Sequence, residues 1–122
     1  MILVDTSVWV DHLRSGDQAL AALLNGNRVA MHPFVLGELA CGTIQQRVAI
    51  LDLLGHLPRA TVATDDEVLF FIERHTLMGR GVGYIDAHLL AAVALGGSDR
   101  LWTRDKRLHG LAETLGVAGS RP

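Results

Sequence analysis

The feature that most constrains the fold of this chain is its first apolar run, Ile2-Leu3-Val4, which ends at a carboxylate. A run of aliphatic residues without alternation is typical of a strand buried on both faces, as in the centre of a parallel sheet. Asp5 follows at once, and the hydroxyl residues Thr6 and Ser7 open a helix-like stretch. In open α/β sheets, ligands bind beyond the carboxyl ends of the strands. Asp5 is therefore either a helix N-cap or a functional acid, and this stretch leaves both open.

The segments that follow alternate between helix-like and strand-like patterns. Further strands are predicted at residues 28–31, weakly at 59–62, at 100–103 and, as a short edge strand, at 117–118. Predicted helices cover residues 17–24, 34–41, 44–54, 64–77 and 84–95, and a last one ends near residue 115. This alternation indicates an α/β protein with a parallel sheet covered by helices on both faces. At 122 residues the chain is expected to form one domain, residues 1–122.

Composition excludes several classes of protein. With 49% hydrophobic and 20% charged residues the chain is not disordered, and its net charge of −2 provides no global basic field for nucleic acid. The single cysteine excludes an intramolecular disulfide and a zinc site built from cysteines. The longest uncharged apolar stretch is far shorter than the ~20 residues that span a bilayer. We therefore expect a cytoplasmic protein without membrane contact.

Four acids stand singly within apolar or strand-terminal segments, namely Asp5, Glu38, Asp86 and Asp105. A carboxylate is rarely buried unless it is paired or bound to a metal, because an isolated one costs several kcal/mol to desolvate. Asp86 and Asp105 lie near helix starts and are also explained as N-caps, and Glu38 as a solvent-facing helix residue. If all four converge, a cation must relieve their repulsion. Oxygen ligands without cysteine select Mg²⁺ or Mn²⁺ rather than zinc.

The segments around these acids resemble the motifs of a known family, the PIN domains. Asp5-Thr6-Ser7 after an N-terminal strand is similar to the first PIN motif, and Glu38-Leu39 to the second. The third corresponds to residues 86–92 (DAHLLAA), and the fourth to residues 101–105 (LWTRD). The order and spacing of the motifs resemble those of VapC-type toxins of bacterial toxin–antitoxin pairs, over nearly the whole chain.

The resemblance implies a three-layer α/β/α fold and a Mg²⁺-dependent endoribonuclease, in which Mn²⁺ can substitute. It implies Asp5 and Asp86 as direct metal ligands, and Glu38 and Asp105 as holders of metal-bound waters or of a second ion. Hydroxyl groups would orient these carboxylates or the scissile phosphate; they belong to Thr6, Ser7 and Thr103. The implied reaction is in-line attack of metal-activated water on an RNA phosphodiester, leaving a 5′-phosphate and a 3′-hydroxyl. The implied partners are a cognate antitoxin, a second copy of the chain and an RNA, for which the resemblance suggests a tRNA.

Basic residues around the fourth motif and on a glycine-rich loop form the densest positive cluster in the sequence: Arg80, Arg100, Arg104, Lys106 and Arg107. Phosphate contacts of this kind position a nucleic-acid strand without reading its sequence. Solvated surface charge is an equally good explanation of each of these residues, so RNA binding by this cluster is a hypothesis.

Three alternative functions fit the sequence less well. A haloacid-dehalogenase-like phosphatase needs a second aspartate two residues after the first, and this chain has Ser7 there. A response-regulator receiver needs an acidic pair after the first strand, which is also missing. A catalytically degenerate PIN domain that only binds protein is disfavoured by the complete set of four acids.

Overall fold

The computed structural model describes residues 1–119; residues 120–122, at the end of the predicted domain, lie outside the described residues. Three strands run through the described part, β1 (Ile2–Val4), β2 (Val29–Ala30) and β3 (Arg100–Trp102). The helices alternate with them along the chain: α1 (Thr6–Ser15), α2 (Gln18–Asn25), α3 (Pro33–Ala40), α4 (Arg47–Gly55), α5 (Asp65–His75), α6 (Tyr84–Leu95) and α7 (Lys106–Thr114).

The sheet is parallel and has the strand order β2-β1-β3. Strand β1 is therefore central, and Ile2 pairs with Val29 on one side and with Arg100 on the other. All three of its residues are buried, because helices cover both faces of the sheet. The predicted three-layer α/β/α fold around a central parallel sheet is confirmed.

The weak strand predicted at residues 59–62 is wrong. Only a single bridge forms there, between Met31 and Arg59, with the Ala60 amide donating to the Met31 carbonyl at 3.0 Å. Val62 is 49% exposed, so the segment has no second buried residue on that side to extend the pairing. The edge strand predicted at residues 117–118 is likewise reduced to one bridge, between Leu101 and Ala118.

The helix predictions differ from the structure mainly at the helix ends. The capping box is present at α5, where the Glu67 amide donates to Thr64 Oγ1 at 3.1 Å and the Thr64 amide to Glu67 Oε1 at 2.8 Å. Helix α5 ends at His75 rather than at residue 77, because Thr76 adopts a left-handed conformation with φ 53°. Helix α4 begins at Arg47 rather than at residue 44, since Gln46 before it is also left-handed, with φ 52°.

Helix α6 is the most deeply buried helix against the sheet. Seven consecutive residues from Ala87 to Val93 are buried, and the helix contacts both β3 and α5. None of the helices in the described part of the chain combines the length and apolar character needed to cross a bilayer.

Candidate active site

The carboxyl ends of the neighbouring strands β1 and β3 lie side by side, and the first and last of the four acids follow them. The pairing continues one residue past β1, since the Asp5 amide donates to the Trp102 carbonyl at 2.9 Å. Asp105 follows β3 and occupies the N-cap of α7, where its Oδ1 accepts the Leu108 amide at 3.0 Å. Asp105 is therefore a capping residue that also lies at this edge.

Asp5 is buried, with 7% of its surface exposed, and its side chain does not cap α1. Its Oδ2 accepts the Thr103 hydroxyl at 2.7 Å and the Ser7 hydroxyl at 2.9 Å. Asp5 forms no ion pair with the described residues. The hydrogen-bond partners of its carboxylate are two neutral hydroxyls. Both contacts use Oδ2, which leaves Oδ1 free for a further ligand.

Glu38 lies on α3 with an exposed side chain, and its Oε1 accepts the Thr6 hydroxyl at 2.7 Å. Thr6 is the first residue of α1, and helices α1 and α3 contact one another. This hydrogen bond therefore links the first two motifs. It also shows that Glu38 is not simply a solvent-facing helix residue.

Asp86 lies in the first turn of α6, where its Oδ2 accepts the Gly83 amide at 3.3 Å. Partial burial raises the pKa of the Asp86 carboxyl above its usual range, and the charges of Asp5, Asp105 and Glu38 raise it further, while the Gly83 hydrogen bond opposes the shift. All four predicted acids therefore share one electrostatic environment, and the repulsion among them is not fully relieved.

A metal would have to be held partly through water. Within residues 1–119, no three His, Cys, Asp or Glu side chains are close enough together to hold one ion directly. The donors at this edge are all oxygen atoms, which suits a hard divalent cation, and Mg²⁺ usually keeps several waters while bound by one or two carboxylates. The residues present therefore fit a water-rich site with few direct protein ligands.

The basic residues of the sequence cluster do not stay together in space. Arg100 begins β3, at the amino end of the strand, and its guanidinium donates to the Asp99 carbonyl at 2.9 Å. It is separated from the other basic residues because a strand advances about 3.3 Å per residue. The Arg104 guanidinium is paired with two carboxylates, Asp11 and Asp17.

Three other cations of that cluster have exposed side chains, Arg80, Lys106 and Arg107. The Arg107 side chain lies over Gly81, where an added Cβ would come within 2.6 Å of Arg107 Cδ. Gly81 also has φ +81°, a conformation that favours glycine. Arg107 thus lies against the glycine-rich loop that leads into Asp86.

Several side-chain contacts around the site have no local signal in the sequence. Asp65 accepts the Tyr84 hydroxyl at 2.7 Å, and its Oδ1 lies 3.2 Å from Nε2 of His88, which is 2% exposed. His32, for which the sequence suggested no role, caps α3 by accepting the Phe34 amide at 3.0 Å. Burial and the neighbouring His88 lower the pKa of His32 to about 4. The His88 ring lies 6.4 Å from that of His32 and 4.6 Å from that of Phe34, so both histidines pack where the start of α3 meets α6.

Comparison with known proteins extends these observations. A family model described as PIN domain matches residues 2–114. Ribonuclease VapC32 of Mycobacterium tuberculosis is 53% identical over 118 residues, which cover 97% of this chain and 95% of that protein. Ribonuclease VapC19 of the same organism is 33% identical over 103 residues, 78% of this chain and 81% of that protein.

Among solved structures, FitAcB from Neisseria gonorrhoeae superimposes with a TM-score of 0.62 and 21% identity, over 97% of this chain and 95% of that chain. At that identity the likeness concerns the fold alone. The match of the family model and the identity to VapC32 extend over nearly the whole chain. This chain therefore belongs to the PIN-domain family, and within it to the VapC proteins.

Proposed function

We propose that this protein is a Mg²⁺-dependent endoribonuclease and the toxin of a VapBC-type toxin–antitoxin pair. The single observation that carries the proposal is the meeting of the motifs at the carboxyl ends of β1 and β3, where the Thr103 hydroxyl bonds to Asp5 at 2.7 Å and to the Asp105 amide at 3.1 Å. The charges of Asp5, Asp105 and Glu38 also contribute to the raised pKa of Asp86. Acids placed in this way would suit a divalent cation that keeps several of its waters. The curated relatives VapC32 and VapC19 are named ribonucleases, which supports RNA as the substrate.

In this proposal Asp5 and Asp86 hold the cation directly, and Glu38 and Asp105 hold its water ligands. A divalent cation at this position supplies a Lewis acid for the phosphoryl oxygen and lowers the pKa of bound water. Mn²⁺ serves as a substitute because it accepts the same oxygen donors. Thr103 and Ser7 hold the Asp5 carboxylate through Oδ2, and Thr6 holds Glu38 through Oε1, so these hydroxyls would fix the carboxylates that bind the cation.

The RNA strand is positioned by the exposed cations next to the fourth motif and the glycine-rich loop. Arg80, Lys106 and Arg107 are the candidates, since they are exposed and, unlike Arg104, form no ion pair among the described residues. Contacts of this kind bind phosphates and hold the strand in register, so they contribute to affinity without selecting a sequence. A tRNA target is proposed only from the family resemblance.

Substitution of Asp86 by asparagine tests the enzymatic part of the proposal. Asp86→Asn keeps the shape of the side chain but removes its charge, and it should lower RNA cleavage at least about 1,000-fold, because the metal contributes several kcal/mol to such a reaction. The assay follows a labelled RNA with wild type, Asp5→Asn and Asp86→Asn in Mg²⁺ and in EDTA. Arg28→Ala is the control, since Arg28 precedes β2 and so lies at the amino ends of the strands, opposite the site.

Retained cleavage by a highly purified Asp5→Asn/Asp86→Asn double variant would reject the assigned site. Wild-type protein that folds but cleaves no RNA in Mg²⁺ or Mn²⁺ would instead favour the non-catalytic, protein-binding alternative.

The proposed antitoxin partner has a suitable groove beside the site. A cavity of about 510 Å³ is lined by Glu38 at one end and by apolar residues of α1, α3 and α4, including Val10, Leu39 and Ile50. A segment of antitoxin bound there would cover Glu38 and block access to the carboxylates. The lining also includes Arg14, Thr43, Gln45 and Gln46, so a bound segment would meet polar as well as apolar groups.

Growth assays test the partner. Expression of the chain alone should arrest growth, and co-expression of the product of an adjacent small gene should restore it. Ile50→Arg should abolish the rescue but keep the toxicity, whereas Val48→Arg, on the same helix and 86% exposed, should leave both unchanged. Harmless expression of the wild-type chain would contradict the toxin assignment.

We also propose a homodimer, because large apolar side chains are exposed on α5. Phe70 is 71% exposed and Leu69 54% exposed. Adjacent exposed apolar residues of this size are typical of an interaction surface. Phe70→Glu should therefore shift the mass measured by sedimentation toward that of one chain, while Val48→Glu should not.

A further inference from the structure

We propose that Arg104 is a positioning residue that holds the segment 103–105 against Asp5, and that it does not contact RNA phosphate. The inference rests on the proposed ribonuclease function, because it assigns a role within that site. It reverses the hypothesis from the sequence, in which Arg104 was one of five cations available to the substrate.

The backbone of this segment is bound to the first motif. The Thr103 hydroxyl donates to Asp5 Oδ2 at 2.7 Å, and the Arg104 amide donates to the Ser7 hydroxyl at 3.1 Å. The Asp105 amide donates to Thr103 Oγ1 at 3.1 Å. Thr103 Oγ1 thus joins Asp5 to Asp105, and the position of both acids depends on the path of three consecutive residues.

The Arg104 side chain connects this segment to two other elements. Its Nη1 donates to Asp11 in α1, and its Nη2 donates to Asp17, the N-cap of α2. The guanidinium carbon also lies 6.0 Å from the centre of the Trp102 ring. A planar guanidinium with separate donors can bridge two carboxylates in a fixed geometry, which a lysine cannot do.

Asp17 is itself held in place before it meets Arg104. Its Oδ1 accepts the Leu20 amide at 2.9 Å, and its own amide donates to His12 Nδ1 at 2.9 Å. The Leu20 hydrogen bond and the Arg104 charge lower the pKa of the Asp17 carboxyl, against an opposing effect of burial. Both oxygens of Asp17 therefore have partners, so the carboxylate that receives Arg104 is oriented by the start of α2.

Two carboxylates around one guanidinium leave this cluster with a net negative charge. The Arg104 side chain is 31% exposed, and its partners Asp11 and Asp17 are 50% and 16% exposed, so the cluster lies at the surface with its Asp17 side partly covered. An RNA phosphate would have to compete with both carboxylates for the guanidinium and would meet the net negative charge around it. Holding the segment 103–105 is the role that this geometry supports.

The first test separates positioning from phosphate contact. Arg104→Ala should lower kcat about 10- to 100-fold, as loss of a residue that orients metal-binding groups does, and leave KM unchanged. Binding of a single-stranded RNA oligonucleotide is then measured against salt in the inactive Asp86→Asn background. The slope of log Kd against log salt should be unchanged, whereas loss of a phosphate contact would reduce it by about 0.7. Arg28→Ala is the control in both assays.

A second pair of variants gives different results for the two roles. Asp11→Asn/Asp17→Asn removes both charges, while the asparagine introduced at position 17 still caps α2. If Arg104 positions the segment, this double variant lowers kcat and adds little to Arg104→Ala. If Arg104 only binds RNA phosphate, the double variant keeps the kcat of the wild type, and that result overturns the proposal.

Hydrogen exchange supplies a measurement that does not depend on activity. In Arg104→Ala the amides of residues 104 and 105 should lose protection, while those of α6 keep it. Unchanged protection at both positions would overturn the positioning role. Wild-type protein without cleavage activity would reject the proposed function, and the exchange and salt measurements would still decide the role of Arg104.

Discussion

Two groups of acids flank the segment 103–105, and they differ in whether a basic side chain of the protein pairs with them. In the first, partial burial and three neighbouring acids raise the pKa of Asp86. In the second, Asp11 and Asp17 share the Arg104 guanidinium, and the pKa of Asp17 is lowered. Aspartate carboxyls in the two groups therefore have pKa values shifted in opposite directions. The second group is satisfied by the chain itself, and the first is suited to a cation from solution.

The largest expected effect is stabilisation of the first group by Mg²⁺. At a Mg²⁺ concentration of about 100 times Kd, binding to the native state should add about 2.7 kcal/mol to the free energy of unfolding. Thermal unfolding with increasing Mg²⁺ measures it, with Asp86→Asn as the variant that should not respond. An equal response of Asp86→Asn would place the ion elsewhere and remove the distinction between the two groups.

Loss of the Thr103 hydroxyl, which joins Asp5 to Asp105 within the first group, should come next. Thr103→Val is close in shape but leaves Asp5 with one fewer donor, which should cost about 1–3 kcal/mol of stability because that carboxylate is buried. Cleavage should fall about 10- to 100-fold, as when an outer-shell partner is removed. Thr103→Ser keeps the hydroxyl and should restore both properties; failure to do so would show that the methyl group matters more.

In the second group, which Arg104 pairs, Asp17→Ala should destabilise the fold by about 1 kcal/mol, since it removes an N-cap as well as an ion pair. Asp17→Asn keeps the cap and isolates the charge. Because the folded-state pKa of Asp17 lies below the ordinary value of 3.8, its stabilising contribution is present above that pH and is lost as pH falls through the lowered pKa. Chemical unfolding of wild type and Asp17→Asn should therefore converge in acid.

The smallest effect should have the opposite sign. The folded-state pKa of Asp86 lies above 3.8, so its stabilising contribution is present below that pH and is lost as pH rises through the raised pKa. Asp86→Asn in EDTA should consequently raise stability at neutral pH, by less than about 1 kcal/mol given the partial exposure of the site. A clear fall in melting temperature for this variant would mean that Asp86 is structural, and the contrast with Asp17 would fail.

Local patterns in the sequence predicted the elements that position the site. The uninterrupted run Ile2–Val4 predicted the central strand, and Thr64 with Glu67 predicted the start of α5. Helix ends were less predictable, because left-handed Gln46 and Thr76 are not residue types that favour that conformation. The strand predicted at residues 59–62 does not form, because the pairing of this segment with its neighbour is limited to the bridge between Met31 and Arg59.

What the sequence determined by itself was the α/β alternation, the parallel sheet and the four acids that stand alone in apolar surroundings. It did so because strand burial, helix capping and charge isolation are encoded within a few consecutive residues. Only the tertiary structure decided which cations remain available at the site. Arg104 differs from Lys106 and Arg107 only through Asp11 and Asp17, which are 93 and 87 residues away in sequence. Pairing over such separations depends on how the helices pack, and no local pattern records it.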